Sequence, residues 1–311
     1  MRDKKRKSVF RFAHFAMGTT FEIMLAEEDE DYARQISQAV FAEIDRIKEI
    51  ISRFNPTSEI GQINRLRAGQ SLRIGVETYE CLKTALMVQS QTNGAFDINI
   101  GSLMKYRGEL LFEKQLTRVD ILEHLELSQK SRGFAVKYLP AKEMEKSIEL
   151  DLDLDLGGIG KGYALDCTPE ILSDWGVDRA LVHGGTSTAL SIGTPPEGQG
   201  HRKGWPIGIG GDWECPKTPK KFFLKDRALS GSGTEVKGDH IFDPRTNKPA
   251  KGHLSAWVSH PSAAVADALS TAFMVMNTEE VRDYCKEHPD VWTMVVIDSQ
   301  TCEVFNPDIS Q

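Results

Sequence analysis

Apolar and polar residues alternate across residues 8–26, the period of a half-buried strand, with a break at Met17-Gly18-Thr19-Thr20. One or two strands are predicted there. From about Glu30 to Ser52 the period changes: Ile36, Val40, Ile44, Ile47 and Ile51 recur at helical spacing and form one apolar stripe. Pro56 cannot continue a helix, so Phe54-Asn55-Pro56-Thr57-Ser58 reads as a turn. A second helix is predicted over Val76–Gln91, stopped by Asn93-Gly94. Ile148–Leu156 (IELDLDLDL) alternates strictly and reads as the clearest strand in the chain, aspartates on one side and leucines on the other. The glycines of 157–162 end it, and a helix is expected to begin near Tyr163. Further strands are predicted at 178–183, 188–192, 206–210, 221–224, 255–259 and 291–297, and helices over 262–276 and 279–287. Residues 102–147 are charged and read as mixed helix and loop, with room for a small insertion. No steady βαβ rhythm appears, so the expected fold class is α+β, as one domain over 1–311, rather than a doubly wound sheet.

Charge narrows the partners. The net charge is −7, with 38 Lys and Arg against 45 Asp and Glu. Affinity for a nucleic-acid backbone comes mainly from basic residues, so no nucleic-acid partner is expected. The one basic run, Arg2–Lys7, is short and terminal and reads as a solvated tail. No stretch reaches the ~20 apolar residues of a membrane helix, and no apolar core follows the basic start. The expected location is cytoplasmic as the sequence is written, or periplasmic or membrane-anchored if a leader has been removed. Cys81, Cys167, Cys215, Cys285 and Cys302 are scattered, odd in number and form no CxxC pair. They are expected to be reduced thiols, with neither a disulfide framework nor a zinc site.

Two segments carry the strongest chemical signal. In Asp155-Leu156-Gly157-Gly158-Ile159-Gly160-Lys161-Gly162, glycines allow close backbone approach to a ligand, a helix N-terminus favours anions, and Lys161 adds a full positive charge. The spacing is neither GxxxxGK[ST] nor GxGxxG, so on residues alone a phosphate cradle and a plain tight turn both fit. In Ser262–Met276, Asp267 and Thr271 stand at i and i+4, roughly opposite an apolar face. A carboxylate and a hydroxyl so placed suit a hard cation such as Mg²⁺. A solvated polar face is the alternative, although the surrounding alanines and serines suggest that another surface packs there. Three further segments are weaker signals: Gly94-Ala95-Phe96-Asp97 fits a helix stop before a strand, and Ser230-Gly231-Ser232-Gly233 fits a small-residue loop that either admits a ligand or simply flexes. His240 precedes a turn at Asp243-Pro244-Arg245.

Taken in order, the blocks resemble the ApbE family of FAD:protein FMN transferases. They are Met17-Gly18-Thr19, Ser52-Arg53-Phe54 with Ser58-Glu59-Ile60 and Asn64, Gly94–Asp97, Asp155–Asp166, Gly184-Gly185, His240–Thr246 and Ala266–Ala272. The resemblance implies an α+β fold related to the tunnelling (T-fold) architecture. It implies that Met17, Phe54, Ala95, Phe96, Asp97, Asp155, Lys161 and Ile241 contact FAD, the substrate. It places Mg²⁺ on the Gly158 carbonyl, Asp267 and Thr271, and His240 beside the phosphates. Asp267 and His240 are then the rival bases for the acceptor's proton. The implied reaction moves FMN onto a Thr or Ser hydroxyl of an acceptor protein, such as a redox-complex subunit, and releases AMP. An Mg²⁺-dependent FAD pyrophosphatase and a non-catalytic flavin-binding protein are the alternatives. Phe54 stands where the family often has tyrosine, and Gly184-Gly185-Thr186 where it often has Gly-Gly-Asp.

Overall fold

The computed structural model describes residues 8–27, 29–106, 117–118, 120–130, 133–140, 149–150, 152–196, 204–211, 213, 215, 222–233 and 241–310. Its frame is an eight-stranded sheet: β1 (Ser8–Ala16), β2 (Thr19–Glu27), β3 (Ala180–Gly184), β4 (Thr188–Ile192), β5 (Ala228–Gly233), β6 (Ser255–His260), β7 (Trp292–Val296) and β8 (Cys302–Phe305). The strands lie in chain order and every neighbouring pair is antiparallel. The α+β expectation therefore holds, without any parallel crossover inside this sheet.

Alternation sends Phe21, Ile23 and Leu25 of β2 to one face, where they are fully buried. Helices cover that face. α1 (Glu30–Ile51) is capped by Asp29, which accepts from the Tyr32 amide, and buries the predicted stripe of Ile36, Val40, Ile44, Ile47 and Ile51. α2 (Val76–Gln91), α3 (Gly160–Asp166) and α4 (Ala263–Val275) complete the layer. α4 is buried on almost every side, which settles the choice left by its small residues in favour of packing. α5 (Thr278–Glu287) follows with a capping box between Asn277 and Glu280. The opposite face carries a smaller core, where Leu181, Ala189, Leu229, Trp292 and Met294 meet a hairpin of Trp205–Ile207 and Phe222–Leu224.

Four local expectations fail for physical reasons. Among the described residues of Ile148–Leu156, only Glu149–Leu150 is a strand, paired with Thr117–Arg118. The leucines at 152, 154 and 156 are buried as the alternation required, but asparagine side chains rather than a neighbouring strand satisfy much of the backbone. Ser230–Gly233, read as a loop, lies inside the sheet as part of β5. Its small residues are needed because Gly231 faces the Trp257 ring, where an added Cβ would stand 2.6 Å from a ring carbon. Residues 102–147 include a hairpin of Leu125–Lys130 and Gly133–Tyr138 that joins Ser71–Ile74 in a three-stranded sheet. The residues after Gly94 form turns, not a strand. The cysteine expectation also needs correction. Cys215 and Cys302 form a disulfide, with Cα atoms 6.0 Å apart, because the fold brings two segments 87 residues apart into contact beside β8. Cys81, Cys167 and Cys285 are free.

His253 is buried between Phe273 and Thr278: its Nδ1 is 2.6 Å from the Phe273 carbonyl and its Nε2 3.0 Å from the Thr278 hydroxyl. A neutral ring donates to the carbonyl and accepts from the hydroxyl. Burial holds His253 below the ordinary histidine value of 6.5, and burial does the same to His183 and His260. A depressed histidine stays neutral in the fold while the unfolded chain takes up a proton, so stability falls as pH drops below about 6.5. Denaturant midpoints are expected to be lower at pH 5.5 than at pH 7.5, with the difference reduced in His253→Gln. A midpoint independent of pH over this range contradicts the assignment.

Candidate active site

Arg53 organises the segment that leads into the site. Its guanidinium donates to Asp155 Oδ2 at 2.6 Å and to Asp153 Oδ1 at 2.9 Å, and its side chain is only 10% exposed. Such a forked grip fixes the two aspartates of the extended segment on one side while its leucines enter the core. Asn64 then takes the place of a neighbouring strand. Its Oδ1 accepts from the Leu154 amide at 2.7 Å, and its Nδ2 donates to the Leu154 carbonyl at 3.0 Å. Asn99 accepts from the Asp153 amide at 2.8 Å, and the Asp155 amide donates to the Ile98 carbonyl at 2.7 Å. The loop holding Ala95, Phe96 and Asp97 is thereby fastened to the segment, and all three residues are buried. Asp155 Oδ1 also accepts from the Gly157 amide at 2.8 Å, which starts the glycine turn.

The turn leads into α3, which begins at Gly160, three residues earlier than expected. Gly162 allows α3 to cross the start of α4, since a Cβ there would lie 2.2 Å from the Ala263 carbonyl oxygen. Asp166, at the end of α3, accepts from the Ser262 hydroxyl at 2.6 Å and from the Ala263 and Ala264 amides at 2.7 and 2.9 Å. It neutralises free amides at the start of α4. Burial pushes its carboxyl above the ordinary aspartate value, with these donors opposing the shift.

One helical turn into α4, Asp267 is 3% exposed. Its Oδ1 accepts from Ser230 Oγ at 3.2 Å and Thr188 Oγ1 at 3.3 Å, and its Oδ2 from the Gly162 amide at 3.1 Å. Lys161 Nζ lies 3.4 and 3.3 Å from the two oxygens. Thr271 follows on the same face, its hydroxyl donating to the Asp267 carbonyl at 3.2 Å. Gly158 abuts both Thr271 and Phe96: a Cβ there would stand 3.3 Å from Thr271 Oγ1 and 3.2 Å from Phe96 Cε2. Gly158, Lys161, Asp267, Thr271 and Phe96 are thus brought together, with Asp155 beside the same turn. Among the described residues no group of three or more His, Cys, Asp and Glu could hold a metal ion. The local oxygen set is one carboxylate, a hydroxyl and backbone carbonyls, which fits a cation that completes its shell from water and phosphate.

Met17 reaches this end of the molecule through two hairpin tips. Met17 and Gly18 have φ of 48° and 72°, the left-handed pair of a tight two-residue hairpin. A Met in that region is held by its surroundings. The Gly185 amide donates to the Thr20 carbonyl at 3.0 Å, and a Cβ on Gly184 would lie 3.7 Å from Lys161 Cβ. Ile241 precedes the short hairpin of Phe242–Asp243 and Lys248–Pro249, whose Arg245 lies next to Gly94. Phe54 is 88% exposed, with the Arg53 guanidinium 5.6 Å from its ring centroid. His240 lies outside the described residues. The sequence did not single out Thr188 or Asn99, and it marked Ser230 only as part of a small-residue loop, not as a donor to Asp267. Small polar residues within strands and turns carry no pattern that separates a buried donor from a solvated one.

Residues 17–295 match the ApbE family. The chain belongs to the ApbE family. A protein of Klebsiella pneumoniae (strain 342) named FAD:protein FMN transferase is 25% identical over 302 residues, covering 90% of this chain and 82% of that one. A Chlamydia pneumoniae protein of the same name is 27% identical, covering 89% and 86%. Among solved structures, the Pseudomonas stutzeri flavinyl transferase ApbE aligns with a TM-score of 0.78 at 22% identity, over 97% of both chains. The ApbE protein of Thermotoga maritima aligns at 0.75 and 24%, over 98% of this chain and all of that one. At these identities the structural matches establish the shared ApbE fold.

In this ApbE chain the asparagine grip on Leu154 is directly testable. Asn64→Leu removes both bonds to Leu154 and leaves an inward-facing amide and carbonyl unpaired. The expected loss of stability in urea unfolding is about 2 kcal/mol or more, the scale of unmade buried hydrogen bonds. A change below ~0.5 kcal/mol, the range of an ordinary surface substitution, rules the grip out.

Proposed function

We propose that this chain is a Mg²⁺-dependent FAD:protein FMN transferase. It cleaves the diphosphate of FAD, releases AMP and joins FMN by a phosphoester to a Thr or Ser hydroxyl of an acceptor protein. The observation that carries the reading is the convergence of Asp267, Thr271, Gly158 and Lys161 beside Phe96 at one end of the sheet. The names of the family relatives support it.

The Asp267 carboxylate, the Thr271 hydroxyl and the Gly158 carbonyl would hold Mg²⁺, with phosphate oxygens and water completing its shell. The bound ion supplies charge neutralisation at the diphosphate, which phosphoryl transfer needs more than covalent help from the protein. Lys161 adds a second positive charge next to the same position. Met17, Phe54, the Ala95-Phe96-Asp97 loop, Asp155 and Ile241 hold the flavin and adenosine parts. The acceptor oxygen attacks the flavin-side phosphorus, the bond to the AMP oxygen breaks, and the attacking hydroxyl gives up its proton. Protein donors already engage both Asp267 oxygens, so His240 is the better base, imidazole being the side chain suited to proton transfer near neutral pH. The Cys215–Cys302 disulfide supports an oxidising compartment as the place of work. No helix among the described residues is long and apolar enough to cross a membrane.

Incubation with FAD and Mg²⁺, with and without acceptor proteins carrying exposed Thr or Ser segments, separates the readings. Flavin fluorescence retained by a denatured acceptor identifies transfer; FMN and AMP alone identify a pyrophosphatase; unchanged FAD identifies a binder. Asp267→Asn is expected to abolish Mg²⁺-dependent turnover while FAD binding weakens less, and near-normal transfer at limiting Mg²⁺ rules out the metal assignment. Phe54→Ala is expected to weaken FAD binding by roughly 1–3 kcal/mol, the scale of ring stacking on a base, with Phe54→Tyr tolerated. An unchanged dissociation constant for Phe54→Ala removes the ring from the binding site.

A further inference from the structure

The protein supplies its own counter-ion to Asp267. Four donors surround the carboxylate, and three are fixed. The Gly162 amide belongs to α3, and the Thr188 and Ser230 hydroxyls project from neighbouring strands, 3.0 Å from each other. Ser270 Oγ, 2.9 Å from the Asp267 carbonyl and 3.4 Å from Ser230 Oγ, braces the same cluster. Lys161 is the fourth, held only by a long side chain. Its ammonium bridges the two carboxylate oxygens, with the Gly157 carbonyl at 3.5 Å, and its side chain is 22% exposed on a flexible four-carbon stem.

We infer that Lys161 and a divalent cation exchange at Asp267: loading the cation displaces the Lys161 ammonium, which turns to the phosphate side of the site. The inference rests on the reading of Asp267 as a cation ligand. An ion held by that carboxylate sits about 2.0–2.6 Å from its oxygen, the range for Mg²⁺ and Ca²⁺. It would therefore stand close to the ammonium, and like charges in a partly buried setting repel strongly. The fixed amide and hydroxyls keep the carboxylate oriented while its cation changes, so the exchange moves one side chain and no backbone. Lys161 thus offsets the buried charge of Asp267 before the cation arrives and becomes available to an incoming diphosphate afterwards. Its two tasks are sequential, and the cation sets their order.

The test uses the full chain and Mn²⁺ alone as the probe, with no flavin. Binding is measured by the electron paramagnetic resonance signal of free Mn²⁺. Lys161 accessibility is measured by brief acetylation and mass spectrometry of its peptide, with and without saturating Mn²⁺. Acetylation of Lys161 is expected to rise severalfold on Mn²⁺ loading while other lysines stay unchanged. Lys161→Met is expected to bind Mn²⁺ more tightly by about tenfold or more, because the competing charge is gone. Unchanged Lys161 acetylation at saturating Mn²⁺ overturns the exchange, even if Lys161→Met binds more tightly through loss of repulsion alone. Asp267→Asn separates the two failures. If it loses Mn²⁺ binding while acetylation of the unsubstituted chain does not move, the cation site stands and the exchange falls. If it binds Mn²⁺ like the unsubstituted chain, the cation site fails and the exchange with it.

Discussion

A carboxylate buried to 3% exposure beneath a sheet needs partners in fixed places, and Asp267 draws four of them from three parts of the chain. Burying an ion without partners is strongly unfavourable, so this one residue constrains much around it. α3 must come close enough for the Gly162 amide to donate, which a side chain at 162 would prevent. β4 and β5 must be neighbours with Thr188 opposite Ser230, as their register provides. Helix α4 must enter at a set height, and Asp166 fixes it there by binding its first amides. The packing of helix on helix and helix on sheet at this end therefore serves a single charge.

The same logic explains why the approach to the site is irregular. A regular strand through residues 152–156 would be bonded on its edges by other strands and would leave no place for the Ala95–Asp97 loop or for Arg53. Asn64 and Asn99 instead bond the backbone point by point. This lets the aspartates turn toward Arg53, and lets Asp155 fold the chain into the glycine turn. Regularity is given up where several loops must meet at one place.

Much of the fold could be read from periodicity. The stripe of α1 and the limits of Val76–Gln91 follow from local pattern alone, because one face of each meets a continuous core. The lack of a strand ladder over 152–156 could not be read, since alternation records which side is buried and not what bonds the backbone. β5 was illegible for the opposite reason. Its Ser230-Gly231-Ser232-Gly233 has loop composition, yet the strand needs small residues between a tryptophan ring and a buried carboxylate. The Cys215–Cys302 pair had no signal in spacing, because contact between distant segments depends on the whole sheet. Of the candidate site, Gly158, Lys161, Asp267 and Thr271 were legible through the order of the family's motifs, and the fold brings them together. The donors that hold Asp267 from the strands were not.

The proposed chemistry requires Asp267 to be a cation ligand, and anomalous diffraction from a crystal soaked in Mn²⁺ tests that most directly. The predicted result is a single strong peak within bonding distance of an Asp267 carboxylate oxygen, next to the Thr271 hydroxyl and the Gly158 carbonyl, with the Lys161 ammonium moved off the carboxylate. A peak elsewhere, with Lys161 still bridging both Asp267 oxygens, would contradict it.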